Sequence, residues 1–85
     1  MKTTAELQQI ATQVRRDILR MTTNAKSGHP GGSMGTADWF VAMNWNIMDF
    51  EPKNFTMSGD GEDMLFVSQG HITPVIYSTM ARRGY

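Results

Sequence analysis

Residues 26–35 read KSGHPGGSMG. Four glycines and a proline cannot sit comfortably inside one regular helix. Glycine costs about 1 kcal/mol and proline about 3 kcal/mol against alanine in a helix interior. The segment therefore forces a break between two flanking patterns. It also carries His29, one of only two histidines in the chain.

The pattern before the break is helical. Thr3-Thr4-Ala5-Glu6 has the spacing of a capping box. Leu7, Ile10, Ala11, Val14, Ile18, Met21 and Ala25 then recur on one helical face. This predicts an amphipathic helix over residues 4–24, ended by Asn24 and Ser27-Gly28. After the break, Ser33 is a candidate cap for a second helix over residues 33–48. Met34, Ala37, Val41, Trp45 and Met48 share its apolar face, with Phe40 close by. Asp38 near its start suits the helix dipole. Trp39, Phe40 and Trp45 read as core or interface.

Residues 49–63 are rich in turn formers: Pro52, Asn54, Ser58, Gly59, Asp60 and Gly61. The run MLFVS, residues 64–68, predicts a short buried strand, parallel and flanked by helices. Gln69-Gly70-His71 predicts a sharp turn. Val75, Ile76, Tyr77 and Met80 predict a third helix from residue 72, with Pro74 tolerated in its first turn and Gly84 ending it. Arg82 and Arg83 suit its C-terminal dipole. The order is helix, glycine loop, helix, long loop, strand, glycine turn, helix. One strand makes no sheet, so the expected architecture is the opening section of a larger α/β domain.

Composition narrows the function. Eight basic residues balance eight acidic ones, and the isoelectric point is near 6.7. That leaves no electrostatic footprint for nucleic acid or an anionic membrane. The longest apolar run, WFVAM, is far short of the about 20 residues that span a bilayer. The N-terminal residues MKTTAELQQ lack the apolar stretch of a signal peptide. A cytoplasmic location is the expectation. There is no cysteine, hence no disulfide or thiol chemistry. Two histidines, with no carboxylate at ligand spacing, do not build a closed metal shell.

The histidines share one context. His29 follows Gly28 shortly before a helix, and His71 follows Gly70 at the expected strand-to-helix junction. Helix starts carry unpaired amides and partial positive charge, so they receive anions such as phosphate. Glycine lets a ligand approach the backbone. An imidazole there can donate to a phosphate oxygen or act on a substrate hydroxyl. A turn histidine bonded to a local carbonyl is the competing explanation for His29, and a plain helix-start residue for His71.

Two segments, RRDILRMTTNAKSGHPGGSMGTADWFVAMNWNIM and DMLFVSQGHITPVIYSTMARRGY, resemble the start of transketolase. The resemblance rests on S-G-H-P-G-G-S followed, later in the chain, by an apolar run and S-x-G-H. It implies an α/β fold: the opening part of a doubly wound thiamine diphosphate-binding domain, mostly helical within residues 1–85 and with one short strand. It implies transfer of a two-carbon ketol unit from a ketose phosphate to an aldose phosphate, within pentose phosphate metabolism. Thiamine diphosphate and Mg2+ (or Ca2+) are the implied cofactors, with the metal's ligands outside this segment. His29 falls on the family histidine that contacts substrate and is the implied catalytic residue. His71 and Gly70 fall on the cofactor-binding S-x-G-H motif, near the diphosphate. Gly31, Gly32 and Ser33 match the loop lining the substrate channel.

The resemblance also implies a C-terminal transketolase subunit or domain as partner, in a homodimer or heterotetramer. The segment then reads as a truncated N-terminal section, inactive alone and binding cofactor weakly or not at all. Gly59-Asp60-Gly61 imitates the metal–diphosphate motif of this superfamily, but no asparagine follows it, and it reads as a hairpin-like turn. Relatives usually carry Asp-Arg before the strand, where this chain has Asp63-Met64. A deoxyxylulose-phosphate synthase, a dihydroxyacetone synthase and a non-catalytic docking fragment are the alternatives.

Overall fold

The structure is a computed structural model that describes residues 1–50 and 52–85, with the backbone alone at residue 54. Three helices pack pairwise around one small core: α1 (Thr4–Ala25), α2 (Pro30–Ala42) and α3 (Thr73–Arg83). A π-helical turn, Met43–Ile47, continues α2. Short 3-10 turns cover Pro52–Asn54 and Gly70–Ile72.

The start of α1 is the expected capping box. The Thr3 hydroxyl accepts the Glu6 amide at 3.2 Å, and Glu6 Oε1 accepts the Thr3 amide at 3.0 Å. Its end differs from expectation. Lys26, rather than Asn24, takes the left-handed conformation, at φ 53°. The Ser27 amide reaches Thr22 O and the Lys26 amide reaches Thr23 O, each at 3.2 Å. This is the Schellman pattern with a lysine where glycine is favoured. Gly28 then takes φ 101°, which permits the turn into α2.

Helix α2 starts three residues before its expected position at Ser33. Pro30 supplies the first helical φ, and His29 is the extended cap residue. Ser33 is therefore inside the helix, fully buried, and its hydroxyl has another use, described below. The far end slips into π geometry around Asn44. The buried Asn44 Nδ2 donates to Phe40 O at 2.9 Å, inserting a side-chain donor into the backbone ladder. The Met48 amide then reaches back to Met43 O at 2.9 Å. Arg83 Nε donates to Asn44 O at 3.0 Å, so α3 ties this turn down.

Ala11, Val14 and Ile18 of α1 meet Ala37, Phe40 and Val41 of α2 and Val75 of α3, with Ile72 sealing one end. These positions follow the helical periodicity of the sequence. Trp45 packs at the edge as a partly buried residue, whereas Trp39 is exposed and stands edge-on to Phe40. Asp38 does not serve the dipole of α2: it takes two hydrogen bonds, at 3.2 and 2.9 Å, from Arg15 of α1. Asp17 of α1 accepts from Arg82 Nη2 at 2.9 Å, from Arg82 Nε, and from Ser78 Oγ at 2.8 Å. Gly84 ends α3 at φ 119°, as expected.

The expected strand at residues 64–68 is absent, and no strand forms among the described residues. The segment is irregular, with Met64 65% and Phe66 84% exposed. A single apolar run has no neighbour with which to form a ladder, and without one its backbone turns to water. Gly59-Asp60-Gly61 forms a turn, with φ of 76° and 78° at its glycines and the Glu62 amide on Gly59 O at 3.2 Å.

Candidate functional site

The start of α2 and the start of α3 lie side by side. The link is Ser33 Oγ, which accepts the Val75 amide at 3.3 Å in a buried contact. Gly32 packs beside it, and a Cβ at Gly32 would lie 3.1 Å from Ile72 Cγ2. These contacts bring the residue before α2 against the turn before α3. His29 and His71 consequently stand with ring centroids 4.9 Å apart, at 62° between planes.

The two rings line a cleft of about 550 Å3 with Gly28, Ser68, Gln69, Gly70, Thr73 and Pro74. No carboxylate, lysine or arginine is among its lining residues. Its donors are imidazoles, hydroxyls, a carboxamide and main-chain amides. The first amides of a helical turn have no intrahelical acceptor. A Cβ at Gly70 would meet nothing within 4 Å, so the backbone there is open to the cleft. His29 makes no capping bond with its side chain, and both histidines are exposed. Neither ring is committed to a local carbonyl, the competing explanation for His29. Such a donor set can hold an anion and can hold or release a proton at either imidazole.

The structure thus unites His29, Gly70 and His71. Gly31, Gly32 and Ser33 stand in the first turn of α2 and do not line this cleft. Gly32 and Ser33 act on it from behind, by fixing the approach of α2 to α3. Ser68, Gln69 and Thr73 were not among the site residues expected from sequence. Ser68 is the serine of the S-x-G-H motif, and the only signal for Gln69 and Thr73 was adjacency to Gly70-His71. Among the described residues no group of three or more His, Cys, Asp or Glu is placed to hold a metal ion. No helix is long and apolar enough to cross a membrane, among the described residues.

Comparison with known proteins identifies the family. Residues 7–85 match the family described as "Transketolase, thiamine diphosphate binding domain". The chain is 30% identical over 80 residues to the 6-deoxy-6-sulfo-D-fructose transketolase subunit of Clostridium sp. (strain MSTE9), covering 94% of this chain and 28% of that protein. It is 32% identical over 77 residues to Transketolase 1 of Escherichia coli (strain K12), covering 91% of this chain and 11% of that protein. It is 27% identical over 82 residues to human transketolase, covering 93% of this chain and 12% of that protein. The chain thus spans between about a tenth and about a quarter of the length of these relatives. No solved structure matches it. The match runs from the middle of the first turns of α1 to the last residue and includes both histidine segments, so this chain belongs to the transketolase thiamine diphosphate-binding domain family.

Proposed function

We propose that this chain provides the opening section of the thiamine diphosphate-binding domain of a cytoplasmic transketolase, one that moves a two-carbon ketol unit from a ketose phosphate to an aldose phosphate. The observation that carries the reading is the convergence of His29 and His71 on one cleft with no carboxylate, lysine or arginine in its lining. The donor set fits a phosphorylated cofactor: imidazole N–H, main-chain amides beside a glycine and no competing carboxylate. The complete domain, in this reading, is a doubly wound α/β unit in which residues 64–68 gain strand neighbours.

Thiamine diphosphate, when bound, supplies the carbon centre that accepts the two-carbon unit. His71 and the Gly70 backbone would hold its phosphorylated end. His29, across the cleft, would face the sugar, donate to a hydroxyl and carry a proton at its imidazole. Gly31, Gly32 and Ser33 would border the approach to that channel. Mg2+ would neutralise the diphosphate from ligands outside the described residues. A C-terminal transketolase subunit or domain would complete the site, in a homodimer or heterotetramer. A pentose phosphate role follows from the same substrates.

The test is reconstitution with a complementing transketolase segment, thiamine diphosphate, Mg2+ and a ketose phosphate–aldose phosphate pair. His29→Asn is expected to lower kcat about 100-fold, within the range of general acid–base contributions. His71→Asn is expected to raise the cofactor concentration needed for half-maximal activity. A reconstituted enzyme indifferent to both substitutions would overturn the reading.

A further inference from the structure

Residues 64–68 present an unpaired edge. Among the described residues no hydrogen bond reaches their backbone. Their side chains nevertheless alternate as those of a strand do. Leu65 packs against the core, whereas Met64 and Phe66 stand exposed on either side of it in sequence. Phe66 and Val67 share a shallow cavity of about 240 Å3 with the exposed Trp39, so the apolar surface continues onto α2. Water can satisfy the amides and carbonyls of such an edge but not its apolar side chains. A second strand satisfies both, and an edge of this kind is a template for strand addition.

We propose that this edge is an interface between two copies of the chain, paired antiparallel through residues 64–68 about a two-fold axis at Phe66. Charge sets the direction. The segment itself holds no charged residue, and Glu62 and Asp63 precede it. Parallel, in-register pairing would set Asp63 against Asp63, a like-charge pair that destabilises a ladder. Antiparallel pairing about Phe66 sets Asp63 against Gln69, Met64 against Ser68 and Leu65 against Val67. Phe66 then meets Phe66, an aromatic cross-strand pair. The edge is therefore complementary to itself, as a two-fold interface requires. The chain's formal net charge of zero adds no long-range repulsion between copies. One short strand pair is a small interface, and its association is weak and concentration-dependent. At low micromolar chain the edge stays open, and Phe66 adds nothing to the stability of the single chain. The proposal goes beyond the transketolase reading, uses neither imidazole and does not depend on that reading.

The experiment is analytical ultracentrifugation of the 85-residue chain from the micromolar to the millimolar range, without cofactor. A single step from monomer to dimer is expected, with no larger species, because a two-fold interface closes. Phe66→Glu and Phe66→Lys each set like charges across the axis and should weaken the dimer at least about tenfold. An equimolar mixture of the two variants should associate again. Phe66 is exposed, so neither substitution disturbs the core. A chain that stays monomeric throughout, or a dimer of unchanged affinity in Phe66→Glu, overturns the proposal. The chain has no cysteine, so introduced thiols report the direction of pairing. Met64→Cys mixed with Ser68→Cys should oxidise to a covalent dimer, and neither variant should do so alone. Self-cross-linking of Met64→Cys would show parallel pairing and contradict the assignment. Because no cofactor or complementing segment is present, a monomeric result leaves the transketolase reading standing, and failed reconstitution leaves the dimer standing.

Discussion

Ser33 and Val75 are joined by a buried hydrogen bond in which the serine hydroxyl accepts the valine amide at 3.3 Å. Each residue lies one turn into its helix, just behind His29 and His71. The bond therefore fixes the spacing of the two helix starts, and through them the spacing of the two rings. Ser33→Ala removes the acceptor and leaves a buried amide unpaired. An unpaired buried donor costs about 1–3 kcal/mol. Urea denaturation should show a loss in that range. Ser33→Thr, which keeps the hydroxyl, should lose less if its extra methyl is accommodated.

Lys26 ends α1 at φ 53°, a conformation in which glycine is unstrained and lysine is not. Its own amide and that of Ser27 already make the Schellman bonds. Lys26→Gly should therefore stabilise the chain by about 0.5–1 kcal/mol, against the usual direction for a glycine substitution. Thermal denaturation followed by circular dichroism would show Tm raised by a few degrees.

Asp17 gathers Arg82, Ser78 and Arg20 around one carboxylate that is 21% exposed. The Arg82 hydrogen bonds, first, and then that of Ser78 hold its pKa below the ordinary value of 3.8. The folded state thus binds this proton less readily than the unfolded chain. The contribution is complete well above the ordinary value and is lost as pH falls through it toward the lowered one. Asp17→Asn should destabilise the chain near neutral pH by about 1–2 kcal/mol. The gap between variant and parent should narrow in acid. Asp38, also lowered by Arg15, is 72% exposed, so Asp38→Asn should give a smaller gap at every pH.

Phe66 is 84% exposed and contributes nothing to the core of the three helices. Phe66→Ser should change the stability of this chain by less than about 0.5 kcal/mol. The same change in a complete sheet would remove a buried aromatic side chain. Urea denaturation of the 85-residue chain distinguishes the two environments: a loss of several kcal/mol would show that residues 64–68 are packed.

The sequence made α1 legible because its apolar spacing and capping box are local signals. Both proved to be the determinants in the structure. It misplaced the start of α2 because two rules competed there. Serine is a good cap, but Pro30 is a better first helical residue, and the cap position fell to His29. The strand at 64–68 was legible as an apolar run, yet a run states only that burial is available. Whether it becomes a strand depends on neighbours that the described residues do not include. The Asp17–Arg82 and Arg15–Asp38 pairs were not legible at all, since they join surface charges that tertiary packing alone brings together. The histidines were readable as candidates because each follows a glycine at a helix start. Their meeting depends on Ser33 and Val75, and no local pattern announces that bond.

The central claim is that His29 and His71 border one cleft that takes the phosphorylated cofactor. The most direct measurement is an NMR titration of the 85-residue chain with thiamine diphosphate, following the two imidazole ring signals. Both signals should shift along a single saturation curve in the millimolar regime, with His71 moving at the same midpoint when inorganic diphosphate replaces the cofactor. Movement of one ring without the other, or no movement of either, would contradict the claim.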